Sequence, residues 1–150
     1  MKRWLIGGLL LLCIGCQTAQ HEKDKSKHLR NMTNVKLAGA DLSSMNFSAV
    51  NLAGSSLKGC NLTATNFEGS DLTGVNFQGA NLTDTNFKNA NCRGADFLSA
   101  TLTGARFEGA DLTHARFHGV EAKKVDFSTA KGLSSENQEK LKGKGAKVSK

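Results

Sequence analysis

The chain has 150 residues, of which 39% are hydrophobic and none is proline, and its formal net charge is +7. The positive charge lies near the two ends, because residues 35–129 contain eight basic and nine acidic residues and have a net charge of −1. A nucleic-acid site needs a basic stripe on a folded surface, and this distribution argues against one.

The first residues have the composition of a secretory signal. Lys2 and Arg3 precede an apolar run of eleven residues, from Trp4 to Ile14. A helix that spans a membrane needs about 20 apolar residues, so this run is too short to span one. The pattern predicts a signal peptide over residues 1–15.

The end of that run, Cys13-Ile14-Gly15-Cys16, resembles the lipobox of bacterial lipoproteins. The resemblance implies cleavage before Cys16 and attachment of fatty acyl chains such as palmitate to it, which would hold the protein on a membrane. In a bacterium with two membranes it implies the outer membrane. Cys13 stands where the family usually has Leu. The alternatives are an uncleaved apolar anchor and a cysteine present by chance.

Residues 16–34 are predicted to form the lipidated cysteine and a polar tether. The segment from Gln17 to Asn34 shows no apolar periodicity and consists mostly of polar and charged residues. Such a composition cannot bury enough apolar surface to fold alone. We expect this segment to link the membrane to a folded unit that begins at residue 35.

A five-residue period dominates residues 35–129. Counting from residue 37 to residue 127 in steps of five gives nineteen positions, and seventeen of them are Leu or Phe. Cys92 and Ala122 are the two exceptions. The period fits neither the 3.6 residues of a helix nor the two residues of an ordinary strand. A fixed short period is typical of a solenoid.

The flanking residues repeat with the same period. A small residue stands two places before each Leu or Phe, Asn or Asp usually stands one place before it, and Gly is common two places after it. Residues 110–114, for example, read A-D-L-T-H. The consensus A-(D/N)-(L/F)-x-G resembles the pentapeptide-repeat family. The resemblance implies an all-β fold, a right-handed quadrilateral β-helix with four pentapeptides in each coil.

With four repeats per coil, twenty residues return the chain to the same face, and nineteen repeats make 4.75 coils. At ~4.8 Å per stacked strand, the rod would be about 23 Å long. One face would then carry an unbroken ladder of phenylalanines in the core, at Phe47, Phe67, Phe87, Phe107 and Phe127. Aromatic residues in such a ladder are expected to be core rather than a ligand site.

Residues 130–150 are predicted to form a short capping helix and a basic tail. Ser135 with Gln138 fits a capping box, and Gly143 fits a helix end. The helix would lay Leu133 and Leu141 over the open end of the solenoid, where exposed strand edges otherwise invite aggregation. The lysine-rich remainder is expected to be frayed and to bury nothing.

Residue patterns that carry chemistry are scarce. His114 and His118 are four residues apart, but that spacing indicates a zinc site on a helix and not on a β-helix. Cys60 and Cys92 fall at inward positions more than one coil apart, so we expect buried free thiols. The sequence predicts no catalytic residue, no cofactor and no metal, and therefore a protein that is not an enzyme.

Some pentapeptide-repeat proteins imitate DNA and act on DNA gyrase through an acidic rod. Duplex DNA carries about one charge per 1.7 Å, so a rod of ~23 Å would need on the order of fourteen negative charges. The net charge of −1 over residues 35–129 argues against that role.

We expect instead a membrane-anchored lipoprotein of the bacterial envelope that presents a rigid rod for protein contact or envelope structure. Its protein partner and oligomeric state are not specified by the sequence, and no nucleic acid is expected. The alternative is a translocated or cytoplasmic repeat protein that binds a partner.

Overall fold

The computed structural model describes residues 30–149, and most of them form a right-handed quadrilateral β-helix, as predicted. Its strands are very short: β1 covers Arg30–Asn31 and pairs in parallel with β2, Val50–Asn51. The other strand pairings are single parallel bridges, and all but the last, Asp126 to Lys147, join residues twenty apart, such as Asn61 and Asn81. The helix α1 covers Ser135–Lys142.

The coils are joined by a repeating pattern of backbone hydrogen bonds. The Leu62 N–H donates to the Asn81 carbonyl at 2.8 Å, and the Asn81 N–H donates back to the Cys60 carbonyl at 2.9 Å. Two residues after Leu62, the Ala64 N–H donates to the Thr83 carbonyl at 2.9 Å. Each coil therefore directs two N–H groups per face towards the following coil.

Tight turns form the corners of each coil. The Ala80 N–H donates to the Phe77 carbonyl at 3.0 Å, which closes a four-residue turn. The third residue of that turn, Gly79, has a φ of 63°, as a type II turn requires. The same left-handed conformation is adopted without glycine at Ala64 and Lys124, where φ is 56° and 59°. The repeat geometry thus overrides the local preference of these residues.

The central Leu and Phe residues fill the axis. We call the four sides of the coil faces 1 to 4. Face 1 contains Leu37, Leu57, Phe77, Phe97 and Phe117; face 2 contains Leu42, Leu62, Leu82, Leu102 and Ala122; face 3 contains Phe47, Phe67, Phe87, Phe107 and Phe127; face 4 contains Leu52, Leu72, Cys92 and Leu112. All are buried except Leu37, which is partly buried at the start of the rod.

The aromatic rings of faces 1 and 3 interlock across the axis. Along face 3, the Phe87 ring stacks on the Phe107 ring with a centroid distance of 4.7 Å and an interplanar angle of 9°. Across the axis, Phe87 meets Phe97 edge to face at 5.9 Å. Stacked and edge-to-face pairs contribute about 0.5–1.5 kcal/mol beyond their buried area. The ladder therefore stabilises the coil by specific geometry as well as by burial.

Buried hydroxyls at the small positions are satisfied within the coil. The Thr65 Oγ1 donates to the Leu42 carbonyl at 2.9 Å, and the Thr85 Oγ1 donates to the Leu62 carbonyl at 2.8 Å. Ser70 makes the equivalent bond to the Phe47 carbonyl at 2.7 Å. A buried hydroxyl without a partner would be costly, so this shared bond explains why Ser and Thr replace Ala at these positions.

The β-helix begins earlier than the sequence indicates. Arg30 pairs with Val50, and the Met32 N–H donates to the Asn51 carbonyl at 2.7 Å. Residues 30–34, assigned above to the polar tether, are therefore part of the first coil. The boundary at residue 35 was wrong because this first repeat has Met32 at its centre, outside the Leu and Phe pattern.

The helix α1 begins one residue earlier than predicted. Its N-cap is Ser134, whose backbone is extended and whose Oγ accepts from the Asn137 N–H at 3.2 Å. Ser135 is already helical, and the Gln138 side chain donates to the Leu133 carbonyl, so the predicted capping box does not form. Gly143 ends the helix as expected, although its φ is −62°. Leu141 is buried and Leu133 is partly buried against the core.

The predicted fraying of the tail is also wrong. Lys147 forms a parallel bridge with Asp126; its N–H donates to the Val125 carbonyl at 2.8 Å, and its carbonyl accepts from the Phe127 N–H at 2.7 Å. Ala146 is buried, and Val148 packs against the core. The triplet Ala146-Lys147-Val148 thus restores the small, polar, apolar order of a repeat on face 3.

Candidate functional site

Most outward polar side chains hold the coil together. The Asn81 Oδ1 accepts from the Thr83 N–H at 3.2 Å and from the Thr83 hydroxyl at 2.7 Å. Between coils, the Asn86 amide donates to the Asn66 Oδ1 at 3.0 Å. The Thr83 hydroxyl therefore bonds within its own repeat, and the Asn86 amide makes a contact between coils.

Charged residues form ion pairs on face 1 and, separately, on face 4. The Asp96 carboxylate accepts from Arg116 at 3.0 Å and from the Gln78 amide at 2.8 Å. On face 4, Arg93 lies 3.2 Å from the Asp111 carboxylate. The hydroxyl of Thr113 is the main cause that lowers the pKa of Asp111, and its backbone N–H and Arg93 act in the same direction. The Asp111 carboxylate is therefore held in the charged form, which suits a structural role and not proton transfer.

The described residues offer little for catalysis. Within residues 30–149, no group of three His, Cys, Asp or Glu is placed to hold a metal ion. Cys60 and Cys92 are both buried and free, as expected. Burial raises the pKa of both thiols, so neither is a ready nucleophile.

The lipid attachment predicted at Cys16 lies outside the described residues and stays a prediction. The phenylalanines assigned to the core ladder, by contrast, lie within them, and each is at most 1% exposed. Within residues 30–149, no helix has the length and apolar character that crossing a membrane requires.

A cavity of about 320 Å³ lies at the carboxyl-terminal end of the rod, where α1 crosses the last coil. Its apolar surface comes from Phe117, Val120 and Leu141. The residues that line it are Phe117, His118, Gly119, Val120, Lys140, Leu141 and Lys144. Sequence reasoning missed this cavity. The only signal was that Gly132 breaks the Leu and Phe pattern, after which the chain leaves the coil.

Comparisons with known proteins agree with this geometry. A family profile described as a pentapeptide repeat region matches residues 30–107, and a second, described as pentapeptide repeats in eight copies, matches residues 90–128. The sequence matches no protein of curated function.

Solved structures of pentapeptide repeat proteins are similar to this chain. HetL of the cyanobacterium Nostoc, a protein involved in the regulation of heterocyst differentiation, is 27% identical over 63% of this chain, with a TM-score of 0.54. The match covers 48% of HetL, so the chain spans about half the length of that protein.

Two further structures share the fold. A pentapeptide repeat protein of the cyanobacterium Cyanothece is 29% identical over 75% of this chain and 69% of its own, with a TM-score of 0.50. A protein of the Arabidopsis thaliana thylakoid lumen is 27% identical over 75% of this chain and 81% of its own, also with a TM-score of 0.50. Because the first family profile covers more than half of the sequence and the described coil has the corresponding geometry, the chain belongs to the pentapeptide-repeat family.

Proposed function

We propose that this protein is a non-enzymatic lipoprotein of the bacterial envelope whose β-helix serves as a rigid surface for protein contact or envelope structure. The observation that carries the proposal is how the outward side chains are used. In the described repeats they form amide ladders, ion pairs and turn bonds, of the kind seen between Asn86 and Asn66 and between Arg116 and Asp96. Such a surface is stiff and displays fixed groups, which suits binding a partner.

Charge supports a protein partner over a nucleic acid. The eight basic and nine acidic residues within positions 35–129 nearly cancel, and several are already paired with each other. DNA binding depends on many unpaired cations that neutralise phosphates. A nearly neutral, hydrogen-bonded rod lacks that electrostatic contribution, and it also lacks the dense negative charge of a DNA mimic.

The envelope location rests on the amino-terminal pattern. The basic start, the short apolar run and Gly15-Cys16 together resemble a lipoprotein signal. With acyl chains on Cys16, residues 17–29 would separate the membrane from the first coil at Arg30. Two or more acyl chains give stable attachment, whereas a single chain binds only reversibly.

The anchor is tested by Cys16→Ser. We expect this variant to lose fatty-acid labelling, to accumulate as unprocessed precursor and to lose stable acyl attachment to the membrane. Cys13→Ser is the matched control and should keep its labelling, because the bulky Leu12 makes Cys13 a poor acylation site. Unchanged labelling of Cys16→Ser would show that the anchor lies elsewhere and would favour the translocated or cytoplasmic alternative.

The contact role is tested by affinity purification from solubilised membranes with the anchor intact. The protein should retain a partner reproducibly, and substitutions on outward positions of one face should release it while leaving the fold unchanged. An interaction that survives such substitutions on all four faces and at both ends would exclude the rod as the contact surface.

A further inference from the structure

Face 1 of the last coil ends in an unpaired strand edge. In the preceding coil, the Phe97 N–H donates to the Arg116 carbonyl and the Ser99 N–H donates to the His118 carbonyl, both at 2.9 Å. The equivalent donors of the last coil are the N–H groups of Phe117 and Gly119. Within residues 30–149, these two groups have no hydrogen-bond acceptor, because α1 replaces the next strand on this face.

The Ala115 carbonyl, at the same edge of face 1, accepts from a side chain where the repeat would supply a backbone N–H. If the coil continued, the Ala115 carbonyl would accept from a backbone N–H of the next coil. The Ala95 carbonyl accepts in this way from the Arg116 N–H at 3.0 Å. In the structure, the Asn137 side-chain amide of α1 donates to the Ala115 carbonyl at 3.1 Å. The capping helix thus satisfies one group of this edge and leaves the two donors open.

The cavity borders Phe117, the last apolar residue of face 1. Phe117 stacks on Phe97 with a centroid distance of 5.0 Å, and a further coil would place an apolar residue on Phe117 in the same way. The space there is about 320 Å³ and is bounded by Val120 and Leu141. This volume lies at the lower end of the range for ligand pockets.

Basic residues lie on the rim of the cavity. Lys144, Lys140 and His118 are exposed around it. Lys140 is paired with Glu136 at 2.6 Å, so Lys144 is the lysine of the rim that is left without an ion pair in the described residues. Residues 17–29, which precede the first coil, have three basic and two acidic residues, a net charge of +1. Like charge therefore disfavours the chain's own tether as the occupant and favours an acidic partner.

We propose that this end of the rod binds an extended acidic peptide segment of a partner protein by strand addition. Two peptide carbonyls accept from the Phe117 and Gly119 N–H groups, the apolar side chain between them enters the cavity, and acidic flanking residues lie near Lys144. Strand addition supplies affinity through main-chain bonds and specificity through a pocket for one side chain. The inference rests on the proposed role in protein contact but not on the lipid anchor.

The test uses the full-length protein in detergent and a fluorescein-labelled peptide, E-A-D-F-E-G-E, which follows the small, polar, apolar order of the repeats. We expect saturable binding that falls about tenfold or more when Phe in the peptide is replaced by Ser, because burial of the ring is lost. Lys144→Glu should weaken binding about five- to tenfold. Lys142→Glu, an exposed position that does not line the cavity, is the matched control and should stay within about twofold.

Amide hydrogen exchange locates the peptide. Binding should protect the Phe117 and Gly119 amides and leave those of Ala122 and Lys124, on face 2 of the same coil, unchanged. Equal binding of the Phe and Ser peptides, equal losses in the two lysine variants, or no protection at Phe117 and Gly119 would overturn the proposal. Phosphatidylglycerol vesicles that displace the peptide and protect the same amides would also overturn the proposal, because the site would then bind lipid. If the peptide does not bind but membrane purification still yields a partner released by substitutions elsewhere on the rod, only this site is excluded.

Discussion

Single residues in this protein are constrained mainly by their place in the five-residue repeat. The corner position illustrates this, because it is left-handed whether or not glycine occupies it: φ is 63° at Gly79 and 56° at Ala64. The left-handed conformation costs a residue with a Cβ roughly 1–2 kcal/mol, and glycine adopts it freely. The stacked coils supply that energy at the corners without glycine.

Substitutions at two corners, one that removes a glycine and one that introduces a glycine, test this conformational cost. Gly79→Ala should lower the free energy of unfolding by about 1 kcal/mol, although an added Cβ there meets nothing within 4 Å. Ala64→Gly should raise it by roughly 0.5–1 kcal/mol. Equilibrium unfolding in urea measures both. Changes of the same sign in the two variants would contradict a purely conformational cost.

The core position is tested by Phe87→Ala. The Phe87 side chain is 0% exposed and stacks on Phe67 and Phe107. Removing a large buried aromatic ring costs about 3–5 kcal/mol. The adjacent outward residue gives the control, since Lys88→Ala should change stability by less than about 0.5 kcal/mol. Thermal unfolding of Phe87→Ala within a degree of the unsubstituted protein would mean that this row of residues does not face the axis.

At the scale of elements, the carboxyl-terminal segment closes the rod in two ways. The helix α1 buries Leu141 across the end, and the strand-like triplet at Ala146-Lys147-Val148 pairs with face 3. The pairing partners Asp126 and Lys147 are twenty-one residues apart, whereas the other bridges join residues twenty apart. Counting repeats in the sequence misses the triplet for that reason, since α1 shifts the register by one residue.

Deleting residues 144–150 should therefore destabilise the rod. The truncation removes two backbone hydrogen bonds to the last coil and the contacts of Ala146 and Val148. At about 0.5–1.5 kcal/mol for each hydrogen bond, we expect a loss of roughly 1–3 kcal/mol. Deleting only residues 149 and 150 is the control and should have little effect. A full truncation with unchanged thermal stability would restore the expectation that the tail is frayed.

The contact of Lys147 with Asp126 also predicts that the stability of the fold depends on pH in the acidic range. The hydrogen bond from Lys147, followed by those from Ser128, lowers the pKa of Asp126 from 3.8 to about 2. Because the pKa is depressed in the folded state, the stabilisation is present above pH 3.8 and is lost as the pH falls towards 2. The side chains are 69% and 43% exposed, so the pair contributes at most about 1 kcal/mol.

Asp126→Asn should abolish that acid response. A titration of the Lys147 amide chemical shift should show a step below pH 4 in the unsubstituted protein and none in the variant. Glu136→Gln, which breaks the surface pair with Lys140 on α1, should leave the Lys147 titration unchanged. An identical step in Asp126→Asn would assign the response to another group.

At the scale of the whole molecule, the sequence predicted the coil well because a strict period leaves few alternatives. Each Leu or Phe has one inward position, and the twenty-residue bridges follow from four repeats per turn. The ends were harder to predict, since no repeat fixes them. Ser134 rather than Ser135 caps α1 because the backbone is extended at Ser134. The cavity beside Phe117 depends on how α1 crosses the coil, which local sequence patterns do not encode.

The central claim is that this rod is held at a membrane by lipid on Cys16. Intact-mass measurement of the protein purified from bacterial membranes tests it most directly. The claim predicts a chain that begins at Cys16, lacks residues 1–15 and carries the additional mass of fatty acyl chains, with fragmentation placing that mass on the first residue. A chain that still begins at Met1, or one that contains an unmodified Cys16, would contradict it.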